Sequence, residues 1–223
     1  MIERVLSCAQ RNKKTPTGLH GTLEKGETIM GIFSDFQKFH GAGERPNEEN
    51  IERFGAPARS LFTERDPGDM HQKISVKDEQ GRLQYWTKSS VFTLRGKTDL
   101  FDADGAQVAH LEKKPISLHE EHYVTLDDGR QITLSNELFH IFRDVTNIKG
   151  LGWQLRGNVI GLNFTLFDQN GEPIASIGQK LLSIHDRYSI DLYQPQHEKA
   201  VVAIVISLQK MLIARRERDN GSN

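Results

Sequence analysis

The fold is decided by two stretches of sequence, LFDADGAQVAHLEKKPISLH (100–119) and LFDQNGEPIASIGQKLLSIH (166–185). They lie 66 residues apart and are identical at eight of their twenty aligned positions. Each contains an apolar run, an aspartate-containing turn with glycine, and a second apolar run. This pattern predicts a β-hairpin, in which glycine supplies the positive φ of the turn and aspartate bonds the turn amides.

Weaker copies of the same unit occur between and before these two stretches. Residues 76–81 (VKDEQG) lead to the apolar run 91–94 at an offset of 24 from the Leu100 copy, and residues 127–130 (DDGR) lead to the run 138–141. Successive hairpins form a meander that must curl or close to hide its edge strands. The sequence from residue 58 onward therefore predicts an all-β barrel.

The Asp-x-Asp-Gly motif of residues 102–105 has a second interpretation as the start of a calcium loop. It lacks the later ligands and the bidentate glutamate that an EF-hand requires. Its recurrence as Asp-x-Asn-Gly at residues 168–171 favours hairpin turns.

The C-terminal segment AVVAIVISL (200–208) and the following residues to Ala214 form an apolar stretch of about 15 residues. This is long for a strand and short for a membrane span. A helix with no polar face must be buried on all sides, which the centre of a barrel permits. The pair Arg215–Arg216 suits a helix C-terminus, and Lys210 disfavours membrane insertion.

Composition excludes several classes of function. The chain carries 29 basic and 30 acidic residues, a net charge of −1, so it lacks the broad positive field of a nucleic-acid binder. One cysteine rules out an internal disulfide and a cysteine-cluster metal site. The sequence predicts no export signal at the N-terminus, because Glu3 and Arg4 stand where an apolar stretch is needed. The sequence predicts a cytoplasmic protein.

The composition and hydrophobic pattern of the sequence divide the chain into three parts. Residues 1–57 are predicted to be a poorly ordered extension, residues 58–214 the barrel, and residues 215–223 a polar tail. Within the extension, the stretch 31–39 is amphipathic, with Phe33, Phe36 and Phe39 on one helix face. Lys25-Gly26-Glu27 can be encoded by a bacterial ribosome-binding sequence just before Met30. We therefore hypothesise that Met30 is the true start and that residues 1–29 are a leader.

The order and spacing of seven short segments resemble the LURP-one-related family of the tubby C-terminal-like superfamily. The segments are 61–63 (LFT), 74–81 (ISVKDEQG), 91–94 (VFTL), 116–118 (ISL), 155–158 (LRGN), 175–183 (ASIGQKLLS) and 186–191 (DRYSID). The resemblance covers about residues 58–214. It implies a closed antiparallel barrel of about twelve strands around a central C-terminal helix. Relatives in the superfamily include phosphoinositide-binding tubby proteins and phospholipid scramblases.

Motifs that carry chemistry are scarce. The sequence HEEH (119–122) is the one dense group of metal-capable residues, but it is not the His-Glu-x-x-His zinc motif and is interpreted as a turn. Asp127–Asp128 is followed by glycine, which also favours a turn. Nucleophile elbows, phosphate loops and dinucleotide fingerprints are absent from the sequence. We predict no enzyme, no cofactor and no metal.

Basic residues are the remaining functional candidates. The candidates for contact with an anionic headgroup are Lys113, Lys114, Lys180 and Arg187; the alternative is ordinary strand polarity. The first functional hypothesis is a non-catalytic binding or scaffold module for a protein or a small apolar ligand. The second is a peripheral phospholipid-binding protein at the inner membrane face, and the third is a scramblase-like protein. The ligand and the oligomeric state are not defined by the sequence.

Overall fold

A computed structural model describes residues 48–65, 73–90, 96–113, 121–135, 145–161, 163–179 and 187–221. The predicted start at Met30, the amphipathic stretch 31–39 and the apolar runs 91–94 and 138–141 lie outside these residues. Two α-helices flank the strands in sequence: α1 is Glu48–Phe54 and α2 is Glu198–Gly221, which follows a 3-10 turn at Pro195–His197.

Twelve strands form one antiparallel sheet in the described part of the chain. In chain order they are β1 Arg59–Arg65, β2 Ile74–Asp78, β3 Leu83–Ser89, β4 Thr98–Asp102, β5 Gln107–Lys113, β6 Glu121–Leu126, β7 Gln131–Ser135, β8 Val145–Ile148, β9 Trp153–Asn158, β10 Asn163–Phe167, β11 Pro173–Gln179 and β12 Tyr188–Leu192. Each strand pairs with its neighbour in sequence, except that β7 and β8 are the two edges and β1 pairs with β12.

The two edge strands meet at one bridge, which nearly closes the barrel. The amide of Thr133 in β7 donates to the carbonyl of Lys149, just after β8, at 3.1 Å. The backbone of Gly150 packs so closely here that an added Cβ would lie 2.0 Å from the carbonyl oxygen of Gln131. The predicted barrel of about twelve strands around a C-terminal helix is confirmed.

The sequence repeat is also a repeat in strand register. Leu100 pairs with Ala109 in the β4–β5 hairpin, and Leu166 pairs with Ala175 in the β10–β11 hairpin. Both ladders shift register directly after the leucine, and the β2–β3 ladder shifts in the same way after Val76. The offsets of 66 and 24 residues therefore relate equivalent positions of three hairpins.

The aspartates of the repeat accept hydrogen bonds from backbone amides of their own turns. Asp102 Oδ1 accepts hydrogen bonds from the amides of Asp104 (3.1 Å) and Ala106 (2.8 Å), and Asp168 accepts the equivalent pair at 2.8 and 3.0 Å. Gly105 has φ of 86°, as this turn requires. The carboxylate oxygen that a cation would need is therefore bonded to turn amides, which agrees with the hairpin interpretation.

The core of the barrel is α2. Its residues Ala200–Gln209 are all buried, as are Met211–Ile213, and their neighbours are the inward-facing strand residues. The helix continues through Gly221, so the expectation that Arg215–Arg216 marks its C-terminus is wrong. Among the described residues, no helix is long and apolar enough to cross a membrane.

The two ends of the barrel differ. At the turn end, α2 begins at Glu198 and five tight connections join the strands, from β2–β3 to β10–β11. At the helix-exit end, α2 leaves the barrel after Ile213, and the remaining connections are mostly longer. On the outside, α1 packs its Phe54 ring edge-on against Phe167 (5.9 Å) and Tyr193 (5.7 Å).

Candidate functional site

The inner wall of the helix-exit end carries basic side chains on β5 and β6. Leu111 and Val124 are buried against α2 (3% and 0% exposed). Because every second side chain of a strand faces the same way, Lys113 and His122, two positions nearer the helix-exit end, face inward. They are directly paired across the β5–β6 ladder, so their Cβ atoms lie roughly 5 Å apart.

The same alternation places Arg65 and two hydroxyls on the inner wall. Arg65 follows Leu61 and Thr63, both fully buried, and Ser89 follows buried Thr87. Thr98 pairs with Ser89 across the β3–β4 ladder, and their hydroxyl oxygens are 3.1 Å apart. Arg65 and the two hydroxyls therefore extend the polar inner wall from β1 to β4.

Lys210 of α2 completes this group from the centre of the barrel. Its Nζ donates to Ser89 Oγ at 2.7 Å, and the side chain is half-buried. Burial and the nearby positive charge of Arg65 lower the pKa of the Lys210 ammonium to about 8, although Glu217 acts in the opposite direction. We call Arg65, Ser89, Thr98, Lys113, His122 and Lys210 the mouth.

Acidic strand residues at this end point outward instead. Glu64 lies between inward-facing Thr63 and Arg65, so it faces outward, where it binds Lys77 and approaches Arg187 Nη2 at 3.6 Å. The hydrogen bond from Lys77 holds the pKa of the Glu64 carboxyl below its usual value. Glu64 is therefore directed away from the mouth and interacts with basic side chains on the outer surface.

Glu112 and Glu121 follow the same rule. Glu112 lies 4.0 Å from Lys97 and 3.9 Å from His110, and Glu121 accepts a hydrogen bond from Tyr123 at 2.9 Å. Both glutamates alternate with inward-facing residues of their strands and so face outward. In the described part of the barrel wall, the charged side chains directed into the mouth are basic.

The structure divides the four predicted headgroup contacts. Lys113 lies in the mouth, whereas Arg187 faces outward beside Glu64. Lys114 and Lys180 lie outside the described residues. Lys113 and Arg187 are at the same end of the barrel but five strand spacings apart, roughly 24 Å around the circumference. The structure therefore does not bring these two together.

Sequence reasoning missed Arg65, Ser89, Thr98 and Lys210 as site residues. Lys210 was the one residue that the sequence could have indicated, because it is the single charge within the apolar segment 200–214. His122 was considered only as part of a turn; it lies on β6, while His119 and Glu120 are outside the described residues. Within the residues that the structure describes, no group of three metal-capable side chains converges.

The turn end has a different character. A shallow pocket there is lined by Asp127, Asp128, Arg130, Gln196, Lys199 and Ala200. Its charges are mutually paired, because Lys199 Nζ lies 2.6 Å from Asp127 and Arg130 Nη2 lies 2.7 Å from Asp128. Hydrogen bonds from Arg130 keep the pKa of the Asp128 carboxyl low. These carboxylates are occupied by turn contacts and are poorly placed as an acid–base pair.

Together these features define a helix-filled β-barrel with a basic mouth at one end. A family model described as LURP-one-related matches residues 60–209, more than half of the chain. The chain belongs to the LURP-one-related family. An X-ray structure of a protein from Arabidopsis thaliana is similar at 15% identity and a TM-score of 0.43, over 69% of this chain and 93% of that one. No curated protein matches the chain.

Proposed function

We propose that the protein is a non-catalytic binding module that recognises an anionic partner at the helix-exit end of its barrel. The observation that supports this most is the filling of the barrel by α2, whose residues Val201–Leu208 are fully buried. A barrel filled by its own side chains binds at its ends or outer surface rather than inside.

Among the described residues, charge favours the helix-exit end over the turn end. The mouth carries Arg65, Lys113 and Lys210. The exposed last turns of α2 add three arginines against two acidic residues, Glu217 and Asp219. The turn end presents aspartates that are already bonded to turn amides or to basic neighbours. Basic groups on one face attract anions and orient them during encounter.

Affinity capture from cells that produce the protein tests this proposal. We expect partners retained by the wild-type chain to be lost from the double variant Arg215→Glu/Arg216→Glu. The matched control is Lys149→Glu, which reverses an exposed charge at the turn end and should retain them. Equal capture by all three chains, or capture by none, would contradict the proposal.

Peripheral binding to anionic phospholipid is the second candidate, favoured by Arg215, Arg216 and Arg218 on the exposed end of α2. Vesicles containing phosphatidylserine or a phosphoinositide should sediment the protein at low salt, and phosphatidylcholine vesicles should not. A scramblase-like insertion of α2 is disfavoured, because it would empty the core that Val201–Leu208 fill.

A further inference from the structure

We infer that the mouth binds a phosphate group, carried by a small molecule or by a lipid headgroup. This rests on the proposed function and names the chemistry of its ligand. Three basic side chains and a histidine enter the mouth from β1, β5, β6 and α2, and two hydroxyls enter from β3 and β4. The inference depends on this convergence from separate elements.

The donors match a tetrahedral dianion better than a carboxylate. Lys210 has three N–H donors, of which one is directed to Ser89, and Ser89 and Thr98 are rotatable hydroxyls. Arg65 adds a planar guanidinium suited to two oxygens of one phosphate. A phosphate offers three or more acceptor oxygens and two negative charges, whereas a carboxylate has two oxygens and one charge.

Among the described residues, the charges that face the mouth also favour an anion. The positive charge of Arg65 is near enough to lower the pKa of Lys210, and Glu217 of α2 acts on it in the opposite direction. Glu64, Glu112 and the other acidic strand residues near the mouth face outward. A bound dianion would stabilise both cations and raise the pKa of Lys210 above its value in the protein alone.

The distances around the barrel wall allow one ion to contact several of these side chains. Ser89, Thr98 and Lys113 lie on three consecutive strands, so Lys113 is roughly 10 Å from Ser89 around the wall. Arg65 is at a similar distance on the other side. A long basic side chain covers more than half of that distance, and a hydrogen bond of about 3 Å to the ion covers most of the rest. An ion beside Ser89 is therefore accessible to both.

Titration of the full chain with inorganic phosphate tests the inference, with thermal stability and calorimetry as readouts. Sodium chloride at equal ionic strength is the reference. We expect phosphate to raise the melting temperature of wild type and to bind Lys210→Met at least about tenfold more weakly. The control Lys88→Met changes an exposed lysine one residue from Ser89 that faces the opposite side of β3, and it should bind as wild type does.

Three outcomes would overturn the inference: equal stabilisation by chloride, equal phosphate affinity in Lys210→Met, or equal loss in Lys88→Met. If Lys210→Met does not fold, Lys113→Gln replaces it, with the same direction of effect expected. Glycerol 3-phosphate and phosphatidic acid vesicles then distinguish the sources, since only a lipid-binding mouth sediments with the vesicles. Partner capture that depends on Arg215 and Arg216, without phosphate binding, would leave the proposed function standing and reject this inference alone.

Discussion

Arg59 of β1 binds Glu198, the first residue of α2, through Nη1, which lies 2.9 and 2.8 Å from the two carboxylate oxygens. The Tyr85 hydroxyl donates to the same carboxylate at 2.8 Å, and Arg59 Nη2 donates to Gln84 at 2.6 Å. Glu198 is 11% exposed, so these bonds replace water around its charge. They fix the start of α2 relative to β1 and β3, and so determine which helix residue reaches the mouth.

Removal of the tyrosine hydroxyl should measurably weaken this anchor. We expect Tyr85→Phe to lower the free energy of unfolding by about 1–2 kcal/mol, because a buried carboxylate loses a donor. Urea denaturation gives this value. Tyr123→Phe is the matched control, since its hydroxyl also donates to a carboxylate, Glu121, but on the outer surface. Equal effects of the two substitutions would show that the anchor adds nothing to stability.

Burial of a charge in the central helix should unfold the barrel. Val205 is fully buried in the middle of α2. We expect Val205→Asp to abolish the cooperative thermal transition, because an unpaired carboxylate would lie in the core. Arg218→Asp, on the exposed end of the same helix, should keep a melting temperature close to that of wild type. A normal transition for Val205→Asp would mean that α2 is not central.

Substitution of two glycines should distinguish the cost of a steric clash from the cost of a positive φ. Gly150 and Gly105 both have positive φ, but an added Cβ would meet Gln131 at Gly150 and nothing within 4 Å at Gly105. We expect Gly105→Ala to cost about 1 kcal/mol and Gly150→Ala about 3 kcal/mol or more, by opening the seam between β7 and β8. Denaturant melts of both variants measure the difference. Similar costs would contradict the close packing of the seam.

Lys210 should make stability depend on pH in the alkaline range. Its pKa is about 8 in the folded chain, against 10.5 for an ordinary lysine. Between these values the unfolded chain binds more protons, so the free energy of unfolding should rise with pH. Lys210→Met should lack this rise and be more stable at pH 7 by about 1–3 kcal/mol, allowing for solvent screening at the mouth. Parallel pH profiles for the two chains would contradict the assignment.

Sequence alone could predict the hairpins and the central helix. The repeat at Leu100 and Leu166 carries its own turn chemistry, and the length of the segment 200–214 excludes a strand. The hairpin at Asp127–Gly129 was harder to predict, because its turn lacks the aspartate of the other turns. Leu126 stands at that position, and its amide donates to the carbonyl of Arg130. The turn persists because Asp128 binds the Arg130 amide instead, at 3.0 Å.

The mouth could not be predicted in the same way. Which side of β5 Lys113 faces depends on the register shift in the β4–β5 ladder. The partner of Lys210 is Ser89, which lies 121 positions earlier in the sequence. Arg187 looked equivalent to other basic residues near turns, but it lies next to Glu64 on the outside. Such long-range contacts are set by strand pairing and by the position of α2.

The most direct test of a basic, anion-binding mouth is a crystal of the full chain soaked in tungstate, a tetrahedral dianion that resembles phosphate. An anomalous difference map locates its tungsten atom. We predict the strongest peak inside the mouth, with a tungstate oxygen within hydrogen-bond distance of Lys210 Nζ and of Ser89 Oγ. A strongest peak at the turn end or on the outer wall, with no density in the mouth, would contradict the account.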